Sequence, residues 1–158
     1  MSSPDRLVEA LKPVLQSLTE TDLNQSGAAH CLNNSHAISS PEMQEIREII
    51  RSGIESGWFA PRGEPGMKWG RLAKSSPETL GFSIDGVLMS QPGPGHTHPN
   101  GEYDLCLAMD GAPLFDGKPE GWVVYPPESW HIPTVKNGTM AILYFLPDGA
   151  IEFGPKKT

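Results

Sequence analysis

Up to Gly57, apolar residues recur every three to four positions; beyond it they fall in short alternating runs. In "DRLVEALKPVLQSL", Leu7, Leu11, Val14, Leu15 and Leu18 make the stripe of an amphipathic helix. Pro13 falls inside that stripe and predicts a kink or an early stop. The stretch "LNQSGAAHCLNNSHAISS" is polar, lacks a clean period and reads as a loop. A second helix then opens on Ser40 as cap, Pro41 at the first position, and Glu42 and Glu45 near the positive end of the dipole. Met43, Ile46, Ile49, Ile50 and Ile54 form its apolar stripe, and Gly57 stops it.

From Trp58 onward the runs predict strands near Lys68–Lys74, Gly81–Ser90, Tyr103–Met109, Gly121–Tyr125 and Met140–Leu146, with another close to His131–Val135. The strings "GEPG", "QPGPG", "MDGAP" and "PDGA" read as the turns between them. Strands at this spacing predict an all-β sandwich or barrel. The expected division is a helical extension over residues 1–57, packed on a β-barrel over residues 58–158.

Composition sharpens this picture. With 158 residues the chain suits one domain, and 17 glycines with 16 prolines favour many short elements over a helical bundle. The net charge of −7, with no Lys/Arg stripe, argues against nucleic acid and anionic membrane surfaces as partners. No apolar run approaches the roughly 20 residues of a membrane span, and "MSSPDRLVEA" lacks the basic start and apolar block of a signal peptide. With only Cys31 and Cys106, a cytoplasmic location is expected. The apolar helix stripe suits either the barrel wall or a subunit contact, and a homodimer is expected.

The densest chemistry lies in "GPGHTHPNGEYD". Alternate residues of an extended segment share a face, so His96 and His98 can present two imidazoles to one point. The turn "PNG" can bring Glu102 to it. Such ligands suit a divalent transition metal, with Zn, Fe, Mn and Ni all open. A further ligand must come from elsewhere, and His131 in "YPPESWHIPTV" is the one histidine left in the β-region.

These residues resemble the two short motifs of the cupin superfamily, H-x-H-x3-E and P-x-G-x2-H. Ser90, Gly111, Glu128 and Val135 depart from the usual glycine and asparagine positions, but none is a ligand. The resemblance implies a mainly β, single-domain cupin: a small antiparallel β-barrel, or jelly roll, with an N-terminal helical segment. It also implies a metal held inside by His96, His98, Glu102 and His131.

A narrower likeness runs through "GIESGW", "KWGRLAKSSPETLGFSIDG", "HPNGEYD", "FDGKPEGWVVYPPESWHIPTV" and "LYFLPDGAIEF". Over residues 41–154 the chain is similar to the 4-hydroxylaminobenzoate lyase family. That resemblance implies conversion of 4-hydroxylaminobenzoate and water to 3,4-dihydroxybenzoate (protocatechuate) and ammonia, a step of nitroaromatic catabolism. Glu102 and Asp104 are then the candidate catalytic carboxylates. Asp104, two positions on along the same face, either moves protons or orients a ligand histidine. Arg71 is the first candidate for the substrate carboxylate and Arg62 the second. Tyr125 and Tyr144 can each supply a phenol hydrogen bond or simply pack. Two other readings stay open: an Fe(II) cupin dioxygenase acting on a small aromatic or thiol substrate, and a non-catalytic barrel that binds a small molecule.

Overall fold

The computed structural model describes residues 3–157. Met1, Ser2 and Thr158, the outer limits of the two expected segments, lie outside the described residues. The first helical stretch is broken into α1 (Pro4–Ala10) and α2 (Lys12–Thr19). Pro13 explains the break, because it has no N–H to donate to the preceding turn. The expected loop holds a helix instead, α3 (Ala28–Ser35). It buries only Ala28 and Leu32, too small a stripe to read as periodic. Its hold on the fold is tertiary: Asn33 Oδ1 accepts from the Trp122 N–H at 2.8 Å, at the open edge of a sheet. The last helix, α4 (Pro41–Ser56), starts on Ser40, whose side chain accepts from Met43 N–H, and ends at Gly57 with φ 87°.

Nine strands follow: β1 (Arg62–Glu64), β2 (Met67–Ala73), β3 (Phe82–Met89), β4 (His96–His98), β5 (Glu102–Phe115), β6 (Gly121–Tyr125), β7 (Ser129–His131), β8 (Val135–Pro147) and β9 (Glu152–Phe153). They form a six-stranded sheet in the order β1-β2-β3-β8-β5-β6 and a three-stranded sheet in the order β7-β4-β9. Every pairing is antiparallel. This is the expected mainly β, antiparallel architecture with a helical N-terminal segment.

Two strands run past their expected ends. "MDGAP" lies inside β5 rather than between strands, because two register shifts absorb its irregular backbone. There Gly138 passes so close to β5 that a Cβ on it would lie 2.2 Å from the Asp110 carbonyl oxygen. The expected strand at His131–Val135 is likewise two elements, since Pro133 interrupts it between β7 and β8.

The large sheet divides its residues by alternation. On one face Ile84, Tyr103, Leu105, Leu107, Leu143 and Phe145 join Leu7, Leu15, Met43, Ile46 and Ile50 of the helices in one apolar cluster. The opposite face turns Val87, Met89, Cys106, Val123, Ile142 and Tyr144 toward the small sheet. The isoleucine stripe of α4 is therefore spent on the sheet within its own chain. The helix face from which pairing is expected is not free to make a homodimer.

Candidate metal centre and cavity

The small sheet delivers three histidines. β4 points His96 and His98 to the same side, with Thr97 turned the other way. Antiparallel pairing sets His131 directly opposite His96, and Ser129 opposite His98. Glu102 opens β5 after a tight turn in which Gly101, at φ 87°, returns its N–H to the His98 carbonyl at 3.2 Å. A Cβ on Gly101 would lie 2.5 Å from Leu23, so only glycine suits that turn.

The four side chains converge. His98 Nε2 lies 3.0 Å from Glu102 Oε2, His96 Nε2 lies 3.5 Å from Oε1, and His131 Nε2 lies 3.7 Å from Oε2. The Nε2 atoms of His96 and His131 are 3.2 Å apart. All four ligand atoms fall within 4.8 Å of one another. Ligands about 2.1 Å from one ion, at angles between 90° and tetrahedral, stand about 3.0–3.4 Å from each other. The observed spacings are of that size.

Each imidazole is also turned correctly. Its Nδ1 meets an acceptor: the Pro94 carbonyl for His96 at 3.1 Å, Ser129 Oγ for His98 at 2.9 Å and Asp116 Oδ2 for His131 at 2.7 Å. Ser129 Oγ itself donates to the Pro126 carbonyl, which leaves it an acceptor toward His98. An Nδ1–H so engaged leaves Nε2 as a lone pair. Yet His98 Nε2 and both Glu102 oxygens are buried with no hydrogen-bond partner. Lone pairs crowded together without donors are costly in a dry interior unless a cation sits among them. The residues fit a divalent transition metal.

Electrostatics agree. Burial alone would raise Glu102, but His131, His96 and His98 hold it well below the usual carboxylate range. Burial would lower His131, yet Asp116 and Glu102 raise it to about 9. The centre attracts positive charge.

Asp104 stands on the same face as Glu102, fully buried, with neither oxygen partnered. Burial and the nearby Glu102 push it well above its ordinary range. Among the described residues it makes no hydrogen bond to any of the three histidines. The histidines are oriented by Pro94, Ser129 and Asp116 instead.

Beside the centre lies a cavity of about 540 Å³, a size typical of small-molecule sites. Trp69, Arg71, Asp85, His96, Tyr144 and Phe153 are among its walls. Register explains the polar ones. Arg71 pairs with Asp85, Asp85 with Tyr144 and Tyr144 with Asp104, so one row crosses four strands from the cavity to the metal side. Arg71 forks onto Asp85 through Nε at 2.7 Å and Nη2 at 3.2 Å, and Nη1 has no hydrogen-bond partner among the described residues. Among the described residues the Tyr144 hydroxyl has one hydrogen-bond partner, Met89 Sδ at 3.8 Å.

Two expected substrate contacts are not among these wall residues. Arg62 sits over the Trp69 ring, 5.6 Å from its centroid, outside the cavity wall. Tyr125 is also absent from that wall; its hydroxyl donates to Asp116 and its ring stacks on His98 at 5.3 Å. Conversely, sequence reasoning passed over Asp85 and Asp116. Asp85 carried a signal, an acid on a strand whose neighbour holds Arg71. Asp116 was hidden in "FDG", which reads as a plain turn.

Comparison with known proteins extends this. The family described as PnbB, 4-hydroxylaminobenzoate lyase, matches residues 9–153. A 4-hydroxylaminobenzoate lyase of Pseudomonas putida is 30% identical over 140 residues, covering 77% of this chain and 80% of the relative. Another, from Nocardioides sp. (strain LMS-CY), is 29% identical over 163 aligned positions, covering 97% and 96%. Among solved structures, the polyketide cyclase RemF from Streptomyces resistomycificus superposes with a TM-score of 0.42 at 16% identity, over 61% of this chain and 78% of that one. With its helical segment and sheets spanned almost end to end by one family's pattern, the chain belongs to the 4-hydroxylaminobenzoate lyase family.

Proposed function

We propose that this protein converts 4-hydroxylaminobenzoate and water to 3,4-dihydroxybenzoate and ammonia, at a metal held by His96, His98, Glu102 and His131. The observation that carries the reading is a buried cluster of three imidazoles and one carboxylate beside a cavity that also holds Arg71. When bound, the metal supplies Lewis acidity and favours hydroxide near neutral pH.

The chain's own residues do the rest. Arg71 Nη1 takes the benzoate carboxylate, with the guanidinium held in plane by Asp85. The Tyr144 hydroxyl faces the same space and orients the ring or its polar substituent. Asp104, buried on the Glu102 face, delivers a proton to the departing N-hydroxyl oxygen, which leaves as water. The electron-poor ring takes up one water beside the nitrogen-bearing carbon, and Asp104 accepts the proton released. A second water hydrolyses the imine and frees ammonia. Two waters enter and one leaves, so no oxidant or reductant is needed. We place this reaction in the cytoplasm, on two unbridged cysteines, Cys31 and Cys106.

The test is incubation of the purified protein with 4-hydroxylaminobenzoate under anaerobic conditions. Dihydroxybenzoate and ammonia are expected in equal amounts, with turnover lost after chelation and in His98→Ala. Oxygen consumption with an aromatic or thiol substrate would replace the lyase by a dioxygenase. Saturable binding without product would replace it by a binding protein.

A further inference from the structure

Asp116 follows β5 directly, in a turn with φ 49°, and collects three donors on two oxygens. Oδ1 accepts from the Thr134 N–H at 2.9 Å. Oδ2 accepts from the Tyr125 hydroxyl and from His131 Nδ1. Among the three Nδ1 atoms only that of His131 meets a charged group; the other two rest on a carbonyl and a hydroxyl. The difference follows backbone support. His96 and His98 lie on β4, central in its sheet, with side chains 1% and 0% exposed. His131 lies on the three-residue edge strand β7, with its side chain 11% exposed. The ligand with the least backbone support has the strongest partner.

We infer that Asp116 is a positioning residue of the metal centre: it fixes the tautomer and direction of His131 and so governs how tightly the fourth ligand holds the ion. This rests on the metal reading above. The chemistry of the neighbours makes the claim sharp. Three donors point at Asp116, so an amide in its place offers one oxygen where two are used. Turned one way, its NH₂ faces the Thr134 N–H. Turned the other way, it faces His131, whose Nδ1 must then accept. In that tautomer the proton sits on Nε2, and the nitrogen that faces the centre can no longer bind the ion.

The test uses the full chain and Zn²⁺ alone, with affinity measured by competition against a chromophoric chelator. The wild type binds one ion, and Asp116→Asn weakens binding by about 10 to 100-fold. Asp116→Glu, which keeps the carboxylate, falls between them and serves if the amide variant does not fold. In a His131→Ala background, Asp116→Asn makes no further difference to affinity. Substitution of Co²⁺ gives a second readout: the visible spectrum of Asp116→Asn shifts toward that of His131→Ala. A purely structural role would lower the melting temperature of the metal-free protein and leave affinity unmoved, which overturns the inference. Equal weakening with and without His131 also overturns it. A wild type that binds no Zn²⁺ removes the metal reading itself, an outcome distinct from either.

Discussion

The two faces of the six-stranded sheet are made by the same strands and differ in nearly everything else. Toward the helices, β5 shows Tyr103, Leu105 and Leu107; toward the small sheet it shows Glu102, Asp104 and Cys106. The helix face is dry and closely packed. The other buries Ser83, Glu102 and Asp104 with side-chain oxygens that no protein group satisfies. Unpaired buried polar atoms destabilise a fold by about 1–3 kcal/mol each. The apolar face offsets that cost, and the polar face is free to do chemistry. Alternation along a strand thus separates stability from function by a single residue step.

Substitutions should respect this division, and the polar face gives the largest effect. Asp104→Asn is expected to lower kcat by about 10² to 10⁴-fold, the range for losing a proton-transfer group. Metal content should hold and thermal stability should change little, because the amide fills the same space and is uncharged like the protonated acid it replaces. Loss of metal along with activity would make Asp104 part of the ion's support and blur the two roles. The helix face should answer in the opposite way. Ile50→Ala empties a fully buried position between α4 and the sheet and should cost about 2–5 kcal/mol in urea denaturation. The folded fraction should keep its kcat. A drop in kcat there would mean that the helices reach the site through the sheet, and the division would fail.

How far could these two faces be read from the chain? The histidine positions were legible because strand alternation is local: His96 and His98 share a side by spacing alone. His131 was found by elimination, and its pairing with His96 supplied the reason. Asp85 and Asp116 were not found. Their partners lie far along the chain, Arg71 on the adjoining strand and His131 beyond the whole of β6, and no local pattern links them. Helix α3 was missed for a related reason, since its anchor is Trp122 on the sheet edge rather than a stripe of its own. The bulges in β5, opposite Gly138 of β8, hid strand continuity behind glycines that ordinarily mark turns. What depended on neighbours in sequence was readable; what depended on neighbours in space was not.

Arg71 sharpens the comparison on the cavity side. Two of its guanidinium nitrogens are already committed to Asp85, so in the proposed reaction a substrate carboxylate would meet a fixed plane through Nη1. Arg71→Ala is expected to raise KM by about 10 to 100-fold, the equivalent of one charge-assisted contact, with a smaller change in kcat. The loss should shrink when the carboxylate is replaced by an uncharged group on the ring. An equal loss for charged and neutral substrates would assign Arg71 to holding the cavity in shape.

The smallest effect lies on the dry face, at the Tyr103 hydroxyl. Tyr103 is almost fully buried, and its hydroxyl donates toward the Leu18 carbonyl at 3.2 Å and the Thr21 carbonyl at 2.7 Å. That contact ties the end of α2 to β5. Tyr103→Phe should therefore cost only about 1 kcal/mol near neutral pH. Burial pushes the ionisation of Tyr103 up to about 12, against about 10 in an unfolded chain. The folded protein holds the proton more tightly, so its advantage is complete below about pH 10. Between there and about 12 the unfolded chain ionises first, and stability falls as pH rises through the folded value. Denaturation curves collected across that window should slope downward in the wild type and less steeply in Tyr103→Phe. Parallel slopes would mean that the phenol stays wet in the folded protein, and that the helix face is less dry than its neighbours imply.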